Sequence, residues 1–263
     1  MSVLKDSINI IEFEEIGSTN EKAMELAKTG APEWTVVFAR KQIKGRGRYQ
    51  RVWESPADLG LWFSVILRPQ INLNQLNLIN LVTALSIRDF ILGIIAEQLK
   101  IGRQPKVQLK WPNDVLIENK KVCGILLESR IREDKILQLI VGIGLNLNQE
   151  KEDFSDDIRN TATSLKLLTG SSFNLNITLR NFLSYFYDIL NNSIGNGFLN
   201  VVESYQKNML YLNERIHLDL GESFVEGIIR GLNELGFLLI DENDERKVIS
   251  AGDIWRIETK NKM

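Results

Sequence analysis

Three apolar runs follow one another between Val107 and Asn148, reading VQLKWPNDVLI, VCGILLESRI and KILQLIVGIGLNLN with short polar turns between them. Their nearly continuous apolar character predicts strands buried on at least one face of a sheet, with neighbours antiparallel. Upstream, TVVFARKQI (35–43) and LWFSVILRP (61–69) predict two more strands, the second ended by its proline. Helices punctuate these runs. STNE at 18–21 reads as a capping box opening a helix from about Asn20 to Thr29, and further helical spacing covers about Leu76–Leu99 and Ile177–Met209. In the last of these, Phe182, Tyr185, Phe186, Ile189 and Leu190 mark a core face. Beyond Leu210 come short β-like pieces, ERIHLDL, FVEGIIRGL, GFLLIDE and KVISAGDIWRI, which predict a small barrel-like second domain. The expected division is 1–210 and 211–263.

With 263 residues and 44% hydrophobic content the chain can bury a large core. A formal net charge of −2 gives no general attraction to nucleic acid, and the single cysteine, Cys123, rules out an internal disulfide and fits a reducing compartment. No cleavable leader is evident, and no later run approaches the roughly 20 apolar residues of a membrane span, so a cytoplasmic location is expected.

Two polar islands interrupt this apolar chain: KGRGRYQRVWESP at 44–56 and KWPND at 110–114. On the first, Gly45 and Gly47 are expected to free the backbone for positive φ, so that Arg46, Arg48 and Arg51 converge on phosphate or carboxylate oxygens. A solvated charged loop is the simpler reading, but Trp53 is an expensive side chain to leave on one. Several chemistries fall away. The one histidine, His217, lies in the small β domain, which argues against a Ser-His-Asp triad, a Cys-His pair and a multi-histidine metal site; no metal ligand is assigned. Cys123 reads as a buried thiol. No phosphate loop is present, and VGIGLNLN (141–148) lacks the third glycine of a dinucleotide fingerprint. What remains is placed positive charge with few proton shuttles, which suits attack at a phosphate, acyl-adenylate formation being one such reaction.

The ordered set STNE (18–21), KQIKGRGRYQRVWESP (41–56), LKWPNDV (109–115), KVCGILLE (121–128) and VGIGLNLN (141–148), followed by a small β domain, resembles the biotin protein ligases. The resemblance implies an α/β (α+β) catalytic domain of the class II aminoacyl-tRNA synthetase-like type, with a mixed sheet, plus a C-terminal SH3-like β-barrel. It also implies an ATP-dependent ligase. Biotin and ATP, with Mg²⁺, give biotinyl-5′-AMP, and biotin then passes to one lysine of a biotin carboxyl carrier protein.

By the same resemblance Ser18, Thr19, Asn20 and Gln42 read the ureido ring of biotin. Arg46, Gly47 and Arg48 close over its carboxylate and the adenylate, Gly124 allows close approach, and Lys110 supplies the second cation. Arg46, Arg48, Arg51, Trp53, Lys110 and Asn146 fall on the adenylate side, with Arg48 and Lys110 the catalytic pair. Asn113 and Asp114 either orient Lys110 or build a local turn. A homodimer is expected from the family. Only 17 residues precede Ser18, too few for a helix-turn-helix, so no DNA role is expected. The alternatives are a lipoate- or octanoate-type ligase and a non-catalytic biotin-sensing protein.

Overall fold

The computed structural model describes residues 5–98, 105–221, 223–243 and 245–256. Leu99, expected to end a helix, and Ile257, expected to end the last strand, lie outside them. The larger sheet has seven strands: β1 (Asn9–Ile16), β2 (Thr35–Gln42), β3 (Gly60–Leu67), β4 (Val107–Lys110), β5 (Asp114–Ile117), β6 (Lys120–Arg132) and β7 (Lys135–Asn146). Their spatial order is β1-β2-β3-β7-β6-β5-β4; only β1 and β2 pair in parallel. The expected strand across KWPND is therefore two strands joined by Trp111-Pro112-Asn113, and the Trp111–Pro112 bond is cis.

β3 sits inside the sheet and is buried at every residue, because helices cover both faces. On one face α1 (Thr19–Lys28) seats Ala23 and Ala27 on Val37, Ile66 and Ile140. The other face carries α2 (Leu76–Gln98) and α4 (Leu175–Gly195), with α3 (Leu165–Thr169) leading into α4. Phe182 stacks on Phe186 in this layer, ring centres 5.5 Å apart.

α2 corrects one expectation. The helical stretch Leu73–Gln98 is long and apolar enough, by length and composition, to cross a membrane, but 61% of its most apolar window is packed inside the fold. The single helix expected over 177–209 is also broken: Gly197, Phe198 and Asn200 take positive φ between α4 and a short α5 (Val201–Gln206).

The C-terminal segment forms an antiparallel sheet of β8 (Arg215–Asp219), β9 (Phe224–Leu232), β10 (Leu238–Glu242), β11 (Glu245–Ile249) and β12 (Asp253–Arg256), ordered β11-β10-β9-β8-β12. KVISAGDIWRI is thus two strands turning at Gly252. The apolar core runs on into this sheet through Ile216, Leu218, Ile229 and Ile240. The Trp111 indole donates to the carbonyl of Gly236 at 3.1 Å, and Asn77 Nδ2 to the same oxygen at 2.6 Å, so the small sheet is pinned to the KWPND turn.

Candidate functional site

Strand register explains the floor of the site. One row across the sheet runs Val37, Ser64, Gly142, Leu126, and the next runs Ala39, Trp62, Gly144, Gly124, Asp114, Lys110. Because side chains alternate, Gly142, Gly144 and Asn146 share the face that α1 only partly covers. The glycines leave a trough, and side chains fill it closely: a Cβ on Gly142 would overlap the Asn20 amide, and one on Gly144 would overlap the Trp53 indole. A Cβ on Gly124 would lie 2.8 Å from Trp53 Cζ3. Above the trough is a cavity of about 210 Å³.

At one end the lining is a buried polar network. Thr19 donates through its backbone N–H (2.8 Å) and hydroxyl (3.1 Å) to Gln42 Oε1, and Gln42 Nε2 donates to Ser55 Oγ at 2.9 Å. Ser64 Oγ lies 2.8 Å from Thr19 Oγ1 and 2.6 Å from Asn20 Oδ1, while Asn20 Nδ2 donates to Glu128 at 2.7 Å. Ser18 occupies the position before α1 and lines the cavity, but its side chain makes no capping bond, so the expected capping box is not formed.

The arginine loop forms the opposite wall. It folds back on itself, with Gly47 N–H donating to Arg51 O at 2.7 Å and Trp53 N–H to Gly45 O at 3.0 Å. Neither Gly45 nor Gly47 takes the expected positive φ; Tyr49 and Gln50 do, at 53° and 58°. Gly45 is needed for space instead, since a Cβ there would strike the Trp53 carbonyl. Arg46 is braced by two carboxylates, Glu21 at 2.9 Å and Glu128 at 3.2 Å. Arg48 donates to the Gly252 carbonyl at 3.1 Å and lies 3.5 Å from Asp253, which also pairs with Arg51. A carboxylate of the small sheet thus holds the loop's two outer cations.

Lys110 ends the glycine row at its edge and is not among the cavity-lining residues. Burial lowers its pKa, opposed by the charge of Asp114 and reinforced by that of Lys121. Lys121 does line the cavity, its ammonium 2.7 Å from Asp114 and 5.1 Å from the centre of the Trp53 ring. Asn113 stitches the turn to β6 by donating to the Ile125 carbonyl at 2.7 Å, as the local-turn reading requires. Asn146 lines the far end and donates to the Thr163 carbonyl at 3.0 Å.

Cys123 is fully buried and burial raises its pKa, which fits an inert thiol. His217 sits on β8 with its ring 4.6 Å from Phe224.

All the sequence-derived candidates except Lys110 therefore meet in one cavity: Ser18, Thr19, Asn20, Gln42, Arg46, Gly47, Arg48, Arg51, Trp53, Gly124 and Asn146. Sequence reasoning missed Ser64, Glu128, Lys121, Gln149 and Asp253. Ser64 carried a signal, a lone hydroxyl inside the apolar run LWFSVIL. Asp253 carried none, because its partners lie some 200 residues away.

The Biotin/lipoate A/B protein ligase family matches residues 12–146, and the Biotin protein ligase C terminal domain matches residues 211–255. The Bacillus subtilis bifunctional ligase/repressor BirA is 32% identical over 94% of this chain and 73% of its own length. The Paracoccus denitrificans biotin–[acetyl-CoA-carboxylase] ligase is 30% identical over 90% of this chain and 96% of its own. Among solved structures, the Aquifex aeolicus biotin protein ligase in complex with biotin and ATP superposes with a TM-score of 0.76 at 34% identity, covering 94% of this chain and 97% of that one.

Proposed function

The chain belongs to the biotin/lipoate A/B protein ligase family and carries that family's biotin ligase C-terminal domain, and we propose that its glycine-floored cavity joins biotin to AMP and delivers it to a carrier lysine. One observation carries this reading: the cavity sets a buried amide-and-hydroxyl network at one end against Arg46, Arg48, Arg51 and Lys121 along its walls. A ureido ring presents two N–H donors and a carbonyl, all of which need partners once buried. Ser18, Thr19, Asn20 and Gln42 offer such partners. An acyl tail bearing a dithiolane or a plain alkyl end brings no N–H or carbonyl for these groups to meet, which disfavours lipoate or octanoate.

In the first step a carboxylate oxygen of biotin attacks the α-phosphorus of ATP. The bond to the bridging oxygen breaks, and pyrophosphate leaves with the electron pair. The cations neutralise charge spreading over the phosphate oxygens, with Arg48 clasping the mixed anhydride and Lys110 contributing through the field it shares with Asp114 and Lys121. In the second step the acceptor lysine amine attacks the acyl carbon, AMP departs and the surplus proton passes to solvent. Among the described residues no three or more His, Cys, Asp or Glu side chains gather as a metal site, and the proposed Mg²⁺ would arrive on the triphosphate.

The reading extends to a cytoplasmic homodimer formed through sheet edges and acting apart from DNA. The single cysteine supports the location and the net charge of −2 the absence of a DNA role, while the homodimer rests on the family resemblance. The decisive experiment mixes the protein with biotin, ATP and a biotin carboxyl carrier domain. One biotinyl group per carrier by mass spectrometry, with matching pyrophosphate release, is expected. Preferential transfer of lipoate or octanoate, or no pyrophosphate with biotin, would defeat the reading.

A further inference from the structure

One carboxylate reaches both walls of the cavity. Leu126 lines the cavity, and Glu128, two residues further along β6, shares its face of the sheet. Glu128 Oε2 accepts from Asn20 Nδ2 at 2.7 Å, while Arg46 Nη2 lies 3.2 Å from Oε1 and 3.4 Å from Oε2. Arg46 Nη1 donates to Glu21 at 2.9 Å, and Glu21 follows Asn20 on α1. The first turn of α1, β6 and the arginine loop are therefore closed into one ring of polar contacts.

The ring fixes what Asn20 can offer. Its amide nitrogen carries two protons, one taken by Glu128 and the other by the Leu126 carbonyl at 3.3 Å. A carboxylate and a carbonyl only accept, so the amide oxygen must lie on the opposite side, where Ser64 Oγ donates to it at 2.6 Å. The capacity left to Asn20, a buried residue of the cavity lining, is the second lone pair of that oxygen. Without Glu128, only the long bond to Leu126 would oppose a half turn of the amide, since the Ser64 hydroxyl can accept as well as donate.

The same carboxylate steadies the loop. Arg46 and Glu128 are 27% and 33% exposed, so their pair is partly shielded from water and holds better than a fully solvated one.

Resting on the reading of this cavity as a biotin site, we propose that Glu128 is a positioning residue for both of its walls: through one carboxylate it presents the Asn20 oxygen to a ureido N–H and anchors Arg46 at the base of the arginine loop. The two tasks need different properties of the side chain. Orienting Asn20 needs an acceptor, whereas holding Arg46 needs the charge.

Substitution separates them. Glu128→Gln keeps an acceptor and removes the charge; Glu128→Met keeps the length and removes both. In unliganded protein both variants should quicken backbone amide exchange across 46–52 several-fold, and adding Glu128→Gln to Arg46→Ala should quicken it no further than Arg46→Ala alone. The side-chain amide protons of Asn20, followed by NMR, should stay protected in wild type and Glu128→Gln and lose protection in Glu128→Met. Biotin affinity by calorimetry should fall by about threefold in Glu128→Gln and by about thirtyfold or more in Glu128→Met, the scale of a lost hydrogen bond to a charged group. A cooperative thermal transition in each variant reports that the fold survives. Equal losses of biotin affinity in the two variants overturn the assignment, as does loop exchange unchanged in both. If wild-type protein binds no biotin, the ligase reading fails, and the positioning role of Glu128 then stands or falls on the exchange rates of the loop and of the Asn20 amide.

Discussion

The two walls of the cavity are held by different physics. The Thr19–Asn20–Gln42–Ser64 wall is stitched by short hydrogen bonds, with Ser64 at 0% and Thr19 and Asn20 at 4% exposure and Gln42 half-buried. The arginine wall is a surface hairpin whose outer cations rest on Asp253 of the other sheet, with Val52 82% exposed at its tip. A buried network has one geometry, since any displaced partner leaves a polar atom unpaired. Of the arginine wall's ion pairs, the one made by the 54% exposed Arg51 is exchanged at little cost. A neutral, fixed recognition end and an adjustable charged end suit a ligase that must hold one small molecule steady while a second anion enters, reacts and leaves.

The sharpest way to break this comparison is to disturb the fixed wall. A methyl at Gly142 has no room beside the Asn20 amide, so Gly142→Ala must displace Asn20 from Ser64 and Glu128. We expect biotin affinity to fall by about 10²-fold, the scale of a displacement near 1 Å at a reacting site. Gly93→Ala, on α2 with open space around its Cβ, is the matched control and should bind biotin normally. Isothermal titration decides it; equal affinities for the two variants would show that the trough needs no glycine.

A smaller effect should separate the cations. Arg48→Ala should form adenylate but leak it, through loss of a charged clasp, whereas Lys110→Ala should chiefly slow formation, each by about tenfold to a hundredfold. Pyrophosphate exchange and single-turnover transfer, measured separately, read the two steps. Identical defects in both assays would mean that the two cations act as one unit.

Smaller still is the effect of freeing the arginine wall. In Asp253→Asn the pairs with Arg48 and Arg51 weaken, the Arg51 pair at little cost because that side chain is 54% exposed, the Arg48 pair at more because Arg48 and Asp253 are 19% and 16% exposed. Amide exchange across 46–52 should quicken several-fold while exchange at Thr19 and Asn20 stays as it was. Unaltered exchange in the loop would place its anchoring in its own backbone bonds, not in the second sheet.

What could be read from the chain divides along the same line. The glycine-floored wall was legible because its parts are local: STNE beside a helix, VGIGLNLN alternating glycine with apolar residues on a strand, Gln42 ending another. The partners of those residues were less so, since Ser64 and Glu128 reach Asn20 only through strand register, 44 and 108 residues away. The arginine wall misled in detail. Gly45 and Gly47 suggested positive φ, yet Tyr49 and Gln50 adopt it, stabilised by the Arg48 guanidinium 4.9 Å from the centre of the Tyr49 ring. Lys110 sits differently: the ladder pairs it with Asp114 at the end of the row, where burial and the charges of Asp114 and Lys121 act on it.

That placement has a pH signature, the smallest effect of the series. Burial lowers the Lys110 pKa from its usual value, the charge of Asp114 only partly offsetting the loss of water. Between the lowered folded value and the unfolded value near 10.4, the unfolded chain binds more protons than the folded one, so this residue makes stability rise with pH through that window. Below it, the burial penalty on the ammonium is fully present. Cys123 and Tyr205 act in the opposite sense: burial raises both, so the folded state keeps protons that the unfolded chain gives up above about pH 8.5 and 10 respectively, and stability falls. Subtracting a Lys110→Met variant from the wild type cancels those two and isolates the lysine. Urea denaturation from pH 7 to 10.5 should show Lys110→Met the more stable at pH 7, with its advantage shrinking as pH rises. A constant or growing advantage would mean that the ammonium is solvated in the folded protein, and that the edge of the glycine row is wetter than its geometry implies.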